Sequence, residues 1–252
     1  MRKDLLNTDT LRFCATSDTH GCRFDVPPCD FFCHCGDWSP LDFQGDFVRM
    51  QSWLDAFIID LCHLPCKYVI IIAGNHDLIM ESLLGKDIFR NTQYRLGLTR
   101  TVFNSVGIPV QECKVHYLNR DSVTLDGVTF WGSPVTKQIN RSVKRWAFET
   151  NHPSYDIPSN ADVVLTHQPP SCNGLGNTYW KQSTPSKRLG SDELRDAVYG
   201  SNAKLLMCGH IHTGNHKLTS LNNEAKTRVC NVSYLDEDYE VAYPVTEFNL
   251  SL

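Results

Sequence analysis

The sequence predicts an α/β fold built around a mainly parallel, buried sheet. Short apolar runs rich in β-branched residues recur along the chain, and each one stops at a polar segment. Runs of this length and composition are typical of strands that are buried on both faces. An amphipathic helical pattern separates two of the runs, as in a right-handed βαβ unit. Because parallel strands end at the same edge of a sheet, we expect the polar segments to meet there.

The clearest of these strands is predicted at residues 68–73, directly before Gly74-Asn75-His76-Asp77. Gly74 permits a sharp turn where the strand ends. A core strand has no packing reason to finish in Asn-His-Asp, so these side chains predict chemistry at its carboxyl end. The same pattern predicts strands at residues 11–17, 30–35, 162–166 and 204–208. All five runs lead into His, Asp or Asn, which is the strongest functional signal in the sequence.

The segments between these strands predict helices, a hairpin and one excursion. A helix is predicted at 43–62, where apolar residues share one face before Pro65. Asp126-Gly127 is the preferred two-residue turn of a β-hairpin, here predicted over residues 122–131. Helices are also predicted at 79–84 and 142–148 and from Ser191 to Gly200, and the tail segments 227–234 and 243–250 are predicted as antiparallel strands. Residues 136–159 predict a polar surface excursion that overhangs a site.

Length and composition predict one globular domain spanning residues 1–252. The hydrophobic fraction of 41% and charged fraction of 21% are ordinary for such a domain. A net charge of −4 without a basic tract argues against a groove for nucleic acid, and no apolar stretch is long enough to span a membrane. The first ten residues lack the apolar core of a secretory signal, so we expect a cytoplasmic protein. The oligomeric state is left open.

The chain has 11 cysteines, which we expect to be free thiols in the cytoplasm. Several fall inside predicted strands, where cysteine behaves as a small apolar residue. Cys33-His34-Cys35 and the pair Cys62 and Cys66 are an alternative, as zinc ligands. Their spacing does not form the paired C-x-x-C pattern of a structural zinc site, so the thiol interpretation is favoured.

The residues at the predicted strand ends form a set of oxygen and nitrogen donors: Asp18, His20, Asp37, Asn75, His167, His210 and His212. Such a set suits manganese, iron, zinc or cobalt rather than calcium. Seven ligands exceed what one ion needs, and one carboxylate can bridge two ions, so we expect a two-metal site. Two divalent ions, two aspartates and a bridging hydroxide leave about one positive charge to meet a phosphodiester anion. This count does not separate diesters from monoesters.

The order of the motifs resembles that of the calcineurin-like metallophosphoesterase superfamily. The matching segments are Asp18-Thr19-His20, Gly36-Asp37, Gly74-Asn75-His76-Asp77, His167 and Gly209-His210-Ile211-His212. They span nearly the whole chain, and no ligand position departs from the pattern. The resemblance implies a four-layer α/β/β/α sandwich.

The resemblance also implies a role for each residue of the set. Asp18, His20 and His212 would hold one metal ion, Asn75, His167 and His210 would hold the other, and Asp37 would bridge them. His76 would face the leaving group as a general acid or bind the phosphate, with Asn75 also at the substrate. The implied cofactors are two divalent transition-metal ions, manganese being favoured over iron, zinc or cobalt, and the implied nucleophile is a metal-bridging hydroxide.

Details of the motifs narrow the expected substrate. The segment 36–40 lacks the arginine that phosphoprotein phosphatases carry there, and Gly209-His210-Ile211-His212 resembles the class that includes class III cyclic-nucleotide phosphodiesterases. Residues 131–134 and 165–170 resemble the metallophosphoesterase-domain-containing brain-protein subfamily. The expected partner is therefore a small phosphodiester, with cyclic nucleotides as one candidate. The alternatives are a phosphomonoesterase, a nuclease on the same fold and a non-catalytic metal-binding scaffold.

Several polar residues keep two interpretations. Asp77 is either a charge at a helix N-terminus or a hydrogen-bond partner of a histidine. Basic residues in and after the excursion are either solvated surface charges, which is the favoured interpretation, or contacts to a substrate phosphate; they are Lys137, Arg141, Arg145, Lys181, Lys187 and Arg188. The remaining alternative is that the strand-end set reflects turn chemistry. Turns favour Asn, Asp and Gly but not four histidines, so a site is favoured.

Overall fold

The computed structural model of the protein describes residues 10–81, 85–103, 109–139, 146–178, 187–222 and 226–251. The helices are α1 (Phe47–His63), α2 (Gly85–Arg95) and α3 (Asp192–Tyr199), with 3-10 turns at Leu41–Phe43 and Leu78–Met80. In chain order the strands are β1 (Leu11–Thr16), β2 (Cys29–Cys35), β3 (Cys66–Ile72), β4 (Thr99–Phe103), β5 (Pro109–Cys113), β6 (Val115–Tyr117), β7 (Asp121–Leu125), β8 (Val128–Ser133), β9 (Thr136–Lys137), β10 (Glu149–Thr150), β11 (Val163–Thr166), β12 (Asn177–Thr178), β13 (Lys187–Arg188), β14 (Leu205–Cys208), β15 (Thr219–Ser220), β16 (Arg228–Asn231) and β17 (Thr246–Leu250).

Two mixed sheets carry the fold. The first has the order β17-β1-β2-β3-β6 and the second has the order β15-β16-β14-β11-β8-β7. Neighbours from β1 to β6 run parallel, as do those from β16 to β8, whereas the edge strands β17, β15 and β7 pair antiparallel. The central strands are buried on both faces, which explains their continuous apolar composition.

Alternating side chains of these strands build the layers. Phe13, Phe31 and Phe130 belong to the apolar layer that lies between the two sheets. The other face of the first sheet packs against α1, and the other face of the second sheet packs against α3. The order of layers is therefore α/β/β/α, and the predicted fold class is confirmed.

The carboxyl ends of the central strands of both sheets meet at one edge. The N–H of Asp18 donates to the carbonyl of Gly36 at 2.9 Å, which joins the segments after β1 and β2. The N–H of His210, after β14 in the second sheet, donates to Asp18 Oδ2 at 3.0 Å. These bonds bring the polar segments of the two sheets together, as expected from the parallel topology.

Two local predictions, the hairpin turn and the cap of α3, are confirmed by the local geometry. Asp126 and Gly127 join β7 to β8 with φ of 49° and 82°, the left-handed pair that a two-residue hairpin turn requires. Ser191 caps α3, because its Oγ accepts the N–H of Leu194 at 3.0 Å.

Other boundaries differ from the prediction. Helix α1 begins at Phe47 rather than 43, since Asp46 caps it by accepting the N–H groups of Val48 and Arg49. Residues 78–80 form a 3-10 turn rather than the start of a helix, and 82–84 lie outside the described residues. Helix α2 was not predicted, because its sequence is mostly polar and lacks a long apolar stripe.

The predictions for the tail and for the excursion at residues 136–159 also differ from the structure. Both tail segments form strands, and β17 is antiparallel to its neighbour β1, but β16 lies parallel to β14 and is antiparallel only to the short β15. Strand pattern alone does not identify a partner that is distant in sequence. In the excursion, β9 pairs with β10. The predicted helix at 142–148 falls largely on 140–145, outside the described residues, and 147–148 form a turn.

Within the part of the chain that the structure describes, no helix is both long and apolar enough to cross a membrane. The ten cysteines whose side chains the structure describes are free thiols. Their thiols include Cys33 and Cys35, which belong to the apolar layer between the sheets.

Candidate metal centre

Two triads of potential metal ligands lie at the shared edge of the sheets. Asp18, His20 and His212 form the first, and Asp37, His167 and His210 form the second. Within each triad, the ligand atoms lie within 4.8 Å of one another. Among the described residues, no group with this spacing includes a cysteine, so the alternative zinc sites at 33–35 and 62–66 are not formed there.

Asp37 belongs to the second triad and also approaches the first. Its Oδ2 is 3.1 Å from His167 Nε2 in the second triad and 4.0 Å from His20 Nε2 in the first. Asn75 joins the second triad, because its Oδ1 is 3.0 Å from His167 Nε2. The structure thus brings together all seven residues that the sequence singled out, with Asp37 in the central position. Their roles as ligands remain predictions.

Backbone carbonyls orient two of the histidines. His167 Nδ1 donates to the carbonyl of Cys35 at 2.8 Å, and His212 Nδ1 donates to the carbonyl of Asp236 at 2.7 Å. An Nδ1–H that is held by a carbonyl leaves Nε2 as the nitrogen with a free electron pair. Both Nε2 atoms then belong to the centre, where they lie 3.1 Å from Asp37 Oδ2 and 3.4 Å from Asp18 Oδ1, respectively.

Buried nitrogen atoms without partners show that the centre fits metal ions. His210 Nε2 and both ring nitrogens of His20 are buried and have no hydrogen-bond partner among the described residues. A buried polar group without a partner costs about 1–3 kcal/mol, so such atoms call for an explanation. A divalent transition metal satisfies imidazole nitrogens and carboxylate oxygens together.

The electrostatics of the centre favour positive charge. Burial opposes ionisation of Asp18, but the hydrogen bond and charge of His212 hold its pKa well below the usual range. Burial likewise opposes protonation of His167, but the charge and hydrogen bond of Asp37 raise its pKa to about 9. Burial lowers the pKa of His210 to about 3, so this imidazole is a neutral donor. The two buried carboxylates keep their negative charge, so the centre favours a cation, which is either the proton on His167 or a metal ion that replaces it.

The backbone of the site is strained. Asp18, His20, Asp37 and His210 have φ of 53°, 43°, 54° and 69°, in the left-handed region that is uncommon for residues other than glycine. Only glycine fits at position 74 without a steric clash, because a Cβ there would overlap Asp37 Oδ1. Its predicted role as a turn residue is therefore refined: the glycine allows Asp37 to approach the end of β3.

His76 lies beside the triads and not in either of them. Its N–H donates to Asp37 Oδ1 at 2.7 Å, and its ring centroid is 5.1 Å from that of His20. Gln44 Nε2 donates to His76 Nδ1 at 2.7 Å, and the Trp146 ring lies 4.8 Å from the His76 ring. Gln44 and Trp146 were not among the predicted site residues. Neither belongs to a motif, and each reaches His76 from a segment distant in the chain.

Asp77 supports the centre through the backbone, and neither sequence interpretation accounts for its contacts. Its side chain does not cap the 3-10 turn that follows. Instead its carboxylate accepts the N–H groups of Asp37, Ser39 and Gly74 at 2.9, 2.9 and 2.7 Å. Burial and the charge of Asp37 raise the pKa of Asp77 to about 7, although the hydrogen bonds from Ser39 and Gly74 lower it. Asp77 therefore ties the segment after β2 to the segment after β3.

Replacement of Asp77 by alanine is expected to lower the free energy of unfolding by about 3 kcal/mol, because three buried N–H groups lose their acceptor. Urea denaturation of the metal-free protein measures this loss. Asp46→Ala is the matched control: that aspartate also accepts two backbone N–H groups, but it is exposed, so a cost of about 1 kcal/mol is expected. An equal loss of unfolding free energy in Asp77→Ala and Asp46→Ala would show that burial of Asp77 does not increase the cost of removing the acceptor.

The structure describes only some of the basic residues that were considered as alternative phosphate contacts. Lys137 Nζ pairs with Glu193 Oε1 at 3.5 Å, and Arg188 is exposed. Lys187 lines a cavity that also includes His210 and His212. Arg141, Arg145 and Lys181 lie outside the described residues.

A facing pair of sheets with two ligand triads at their shared edge defines the class of metallophosphoesterase-like sandwiches. The sequence model described as "Calcineurin-like phosphoesterase" matches residues 11–214, a span that contains all five motifs. The chain belongs to this calcineurin-like phosphoesterase family, and the resemblance seen in the motifs is confirmed. Membership identifies the chain as a metal-dependent phosphoesterase.

Three relatives support the metallophosphoesterase-domain-containing subfamily that the motifs resemble. "Metallophosphoesterase domain-containing protein 1" of Homo sapiens is 28% identical over 242 residues, covering 88% of this chain and 67% of the relative. "UPF0046 protein C25E10.12" of Caenorhabditis elegans is 27% identical over 248 residues, covering 96% and 82%. "UPF0046 protein T07D4.2" of the same organism is 25% identical, and the chain spans only 54% of its length.

A solved crystal structure shares the fold. It superposes with a TM-score of 0.57 at 14% identity, covering 88% of this chain and 90% of the other. At this identity the likeness supports the architecture alone.

Proposed function

We propose that this protein hydrolyses small phosphodiesters at a centre that holds two divalent transition-metal ions, with manganese as the first candidate. The observation that carries the proposal is the position of Asp37, whose Oδ2 approaches a histidine of each triad. Asp18, His20 and His212 would hold one ion, and Asn75, His167 and His210 would hold the other. When bound, the two ions supply positive charge at the phosphate and lower the pKa of water.

The chain itself supplies His76 at the leaving group. The bond from its N–H to Asp37 Oδ1 sets its distance from the centre, and Gln44 donates to Nδ1. An imidazole that accepts at Nδ1 carries its proton on Nε2. Nε2–H is therefore the group that would donate to a phosphate oxygen or to the departing alkoxide.

The segment after the second strand supports a diester rather than a monoester. The charge count of two divalent ions, two aspartates and one hydroxide leaves about one positive charge for the phosphate and does not itself distinguish the two esters. The segment from Gly36 to Pro40 contains no arginine to hold a second phosphate charge. A cyclic nucleotide is one substrate of this class. A cytoplasmic location stays a prediction.

The test compares hydrolysis of bis(p-nitrophenyl) phosphate with that of p-nitrophenyl phosphate, with and without added manganese. We expect manganese-dependent release of p-nitrophenolate with a kcat/KM for the diester at least about tenfold above that for the monoester, which corresponds to about 1.4 kcal/mol. Preference for the monoester would make the protein a phosphatase. The absence of turnover with two bound ions would favour a metal-binding scaffold.

A further inference from the structure

A cavity of about 510 Å³ lies beside the metal centre. Its walls include His210 and His212, one residue from each triad, so the cavity is continuous with the centre. The remaining walls are partly apolar, with Ile139, Leu189, Ile211 and Tyr239 among them. This volume is within the range of small-molecule sites, roughly 300–1,000 Å³. A group attached to a phosphate at the centre can therefore extend into the cavity.

Tyr239 is the aromatic wall of this cavity. Its ring centroid lies 5.1 Å from that of His20 and 5.4 Å from that of His212, with interplanar angles of 71° and 78°. Edge contacts with two histidines of the first triad fix the ring next to the centre. The residue is nonetheless 43% exposed. Part of the ring surface thus remains available to a ligand.

A tight turn holds Tyr239 in place. Asp236 Oδ1 accepts the N–H groups of Asp238 and Glu240 at 2.9 and 3.0 Å, and the Asp236 carbonyl accepts the N–H of Tyr239 at 3.1 Å. The same carbonyl accepts His212 Nδ1–H, which couples the turn to the first triad. Tyr239 has a φ of 61°, a costly conformation for a bulky residue. The turn therefore presents a preorganised ring, which reduces the entropy lost on binding.

Resting on the proposed function, we infer that Tyr239 stacks against a flat aromatic or heterocyclic ring carried by the ester group that stays on phosphorus. His76 and Trp146 lie together, with ring centroids 4.8 Å apart, and mark the side of the leaving group. His76 also lies 5.1 Å from His20, but it does not line the cavity. Tyr239 lines the cavity and contacts His212 as well, so it serves the other ester group. A nucleobase is a ring of this class, because every base offers a flat face to an aromatic side chain.

Turnover of two esters with the same leaving group tests the inference. They are the p-nitrophenyl ester of thymidine 5′-monophosphate and methyl p-nitrophenyl phosphate. Loss of one stacked base costs a factor of about ten or more, so Tyr239→Ala should lower kcat/KM for the thymidine ester about tenfold and for the methyl ester less than about twofold. Tyr239→Phe should have a kcat/KM for the thymidine ester within about twofold of the wild-type value, because phenylalanine keeps the ring.

Tyr94→Ala is the matched control, since Tyr94 is an exposed tyrosine of α2 and lines none of this cavity. Tyr94→Ala should change neither the kcat/KM for the thymidine ester nor that for the methyl ester. Equal losses on both esters in Tyr239→Ala would reduce Tyr239 to a support for the histidines and overturn the inference. Failure of Tyr239→Phe to restore turnover would do the same.

Binding separates this inference from the proposed function. Titration calorimetry on the manganese-loaded protein should give thymidine 5′-monophosphate a Kd about tenfold lower than that of methyl phosphate, and Tyr239→Ala should abolish the difference. Turnover of both esters without this difference would overturn the role of Tyr239 and leave the hydrolase in place. The difference in binding without turnover of either ester would overturn the hydrolase and leave the ring site in place.

Discussion

Asp37→Ala is expected to abolish hydrolysis and to lower the metal content from two ions to fewer than one per chain. The variant removes a carboxylate whose Oδ2 lies 3.1 Å from a histidine of the second triad and 4.0 Å from a histidine of the first. Each predicted ion loses an anionic ligand at once, whereas the remaining imidazoles are neutral donors. Elemental analysis after gel filtration gives ions per chain, and release of p-nitrophenolate from the diester gives turnover.

Two further variants make this prediction specific. Asp37→Asn keeps the volume and one oxygen but removes the charge, so we expect reduced metal content in a folded protein with a normal circular dichroism spectrum. Asp55→Ala removes an aspartate of α1 that pairs with Arg95 outside the centre, and it should leave both readouts unchanged. Retention of two ions per chain by Asp37→Ala would show that this residue does not bridge them.

His76→Ala is expected to leave both ions bound while turnover falls by a factor of about 10²–10⁴, the usual contribution of a general acid. His76 lies in neither triad, and it reaches the centre through its backbone N–H, which alanine retains. Gln44→Ala should keep both ions and cost less, because the imidazole remains but loses the partner at Nδ1. Turnover and metal content measured on the same samples separate the two effects.

His152→Ala is the control for this series, since His152 is an exposed histidine of the segment 146–159. It should behave as the wild type. Loss of metal from His76→Ala would show that His76 is a ligand rather than a proton donor. Turnover within a few-fold of the wild type would show instead that the leaving group departs without its help.

The site was predictable wherever a residue follows a buried strand. The five segments carry their polar residues at strand ends, and a parallel topology is sufficient to gather them. Asp77 shows the limit of this reasoning. Its position after β3 was evident, but its three N–H partners come from the turn geometry of two separate segments. Sequence spacing does not encode that geometry.

Residues outside the motifs could not be predicted for a related reason. Gln44 follows a short 3-10 turn, and its bond to His76 depends on how α1 packs against the first sheet. Tyr239 reaches the first triad only because the chain after β16 turns back in a left-handed conformation that its sequence does not demand. Both contacts are long-range consequences of packing, which composition and periodicity do not report.

The bonds around Asp18 have a consequence for synthesis of the chain. The Asp18 carboxylate accepts from the N–H of His210 and from Ser233 Oγ, at 3.0 and 2.8 Å. His212 in turn depends on the carbonyl of Asp236. Because translation proceeds from the N-terminus, a nascent chain carries Asp18, His20, Asp37 and Asn75 long before it carries the residues that complete either triad. The proposed metal centre can therefore assemble only late in synthesis: the second triad is complete once residue 210 has left the ribosome, and the first once the carbonyl of Asp236 can orient His212.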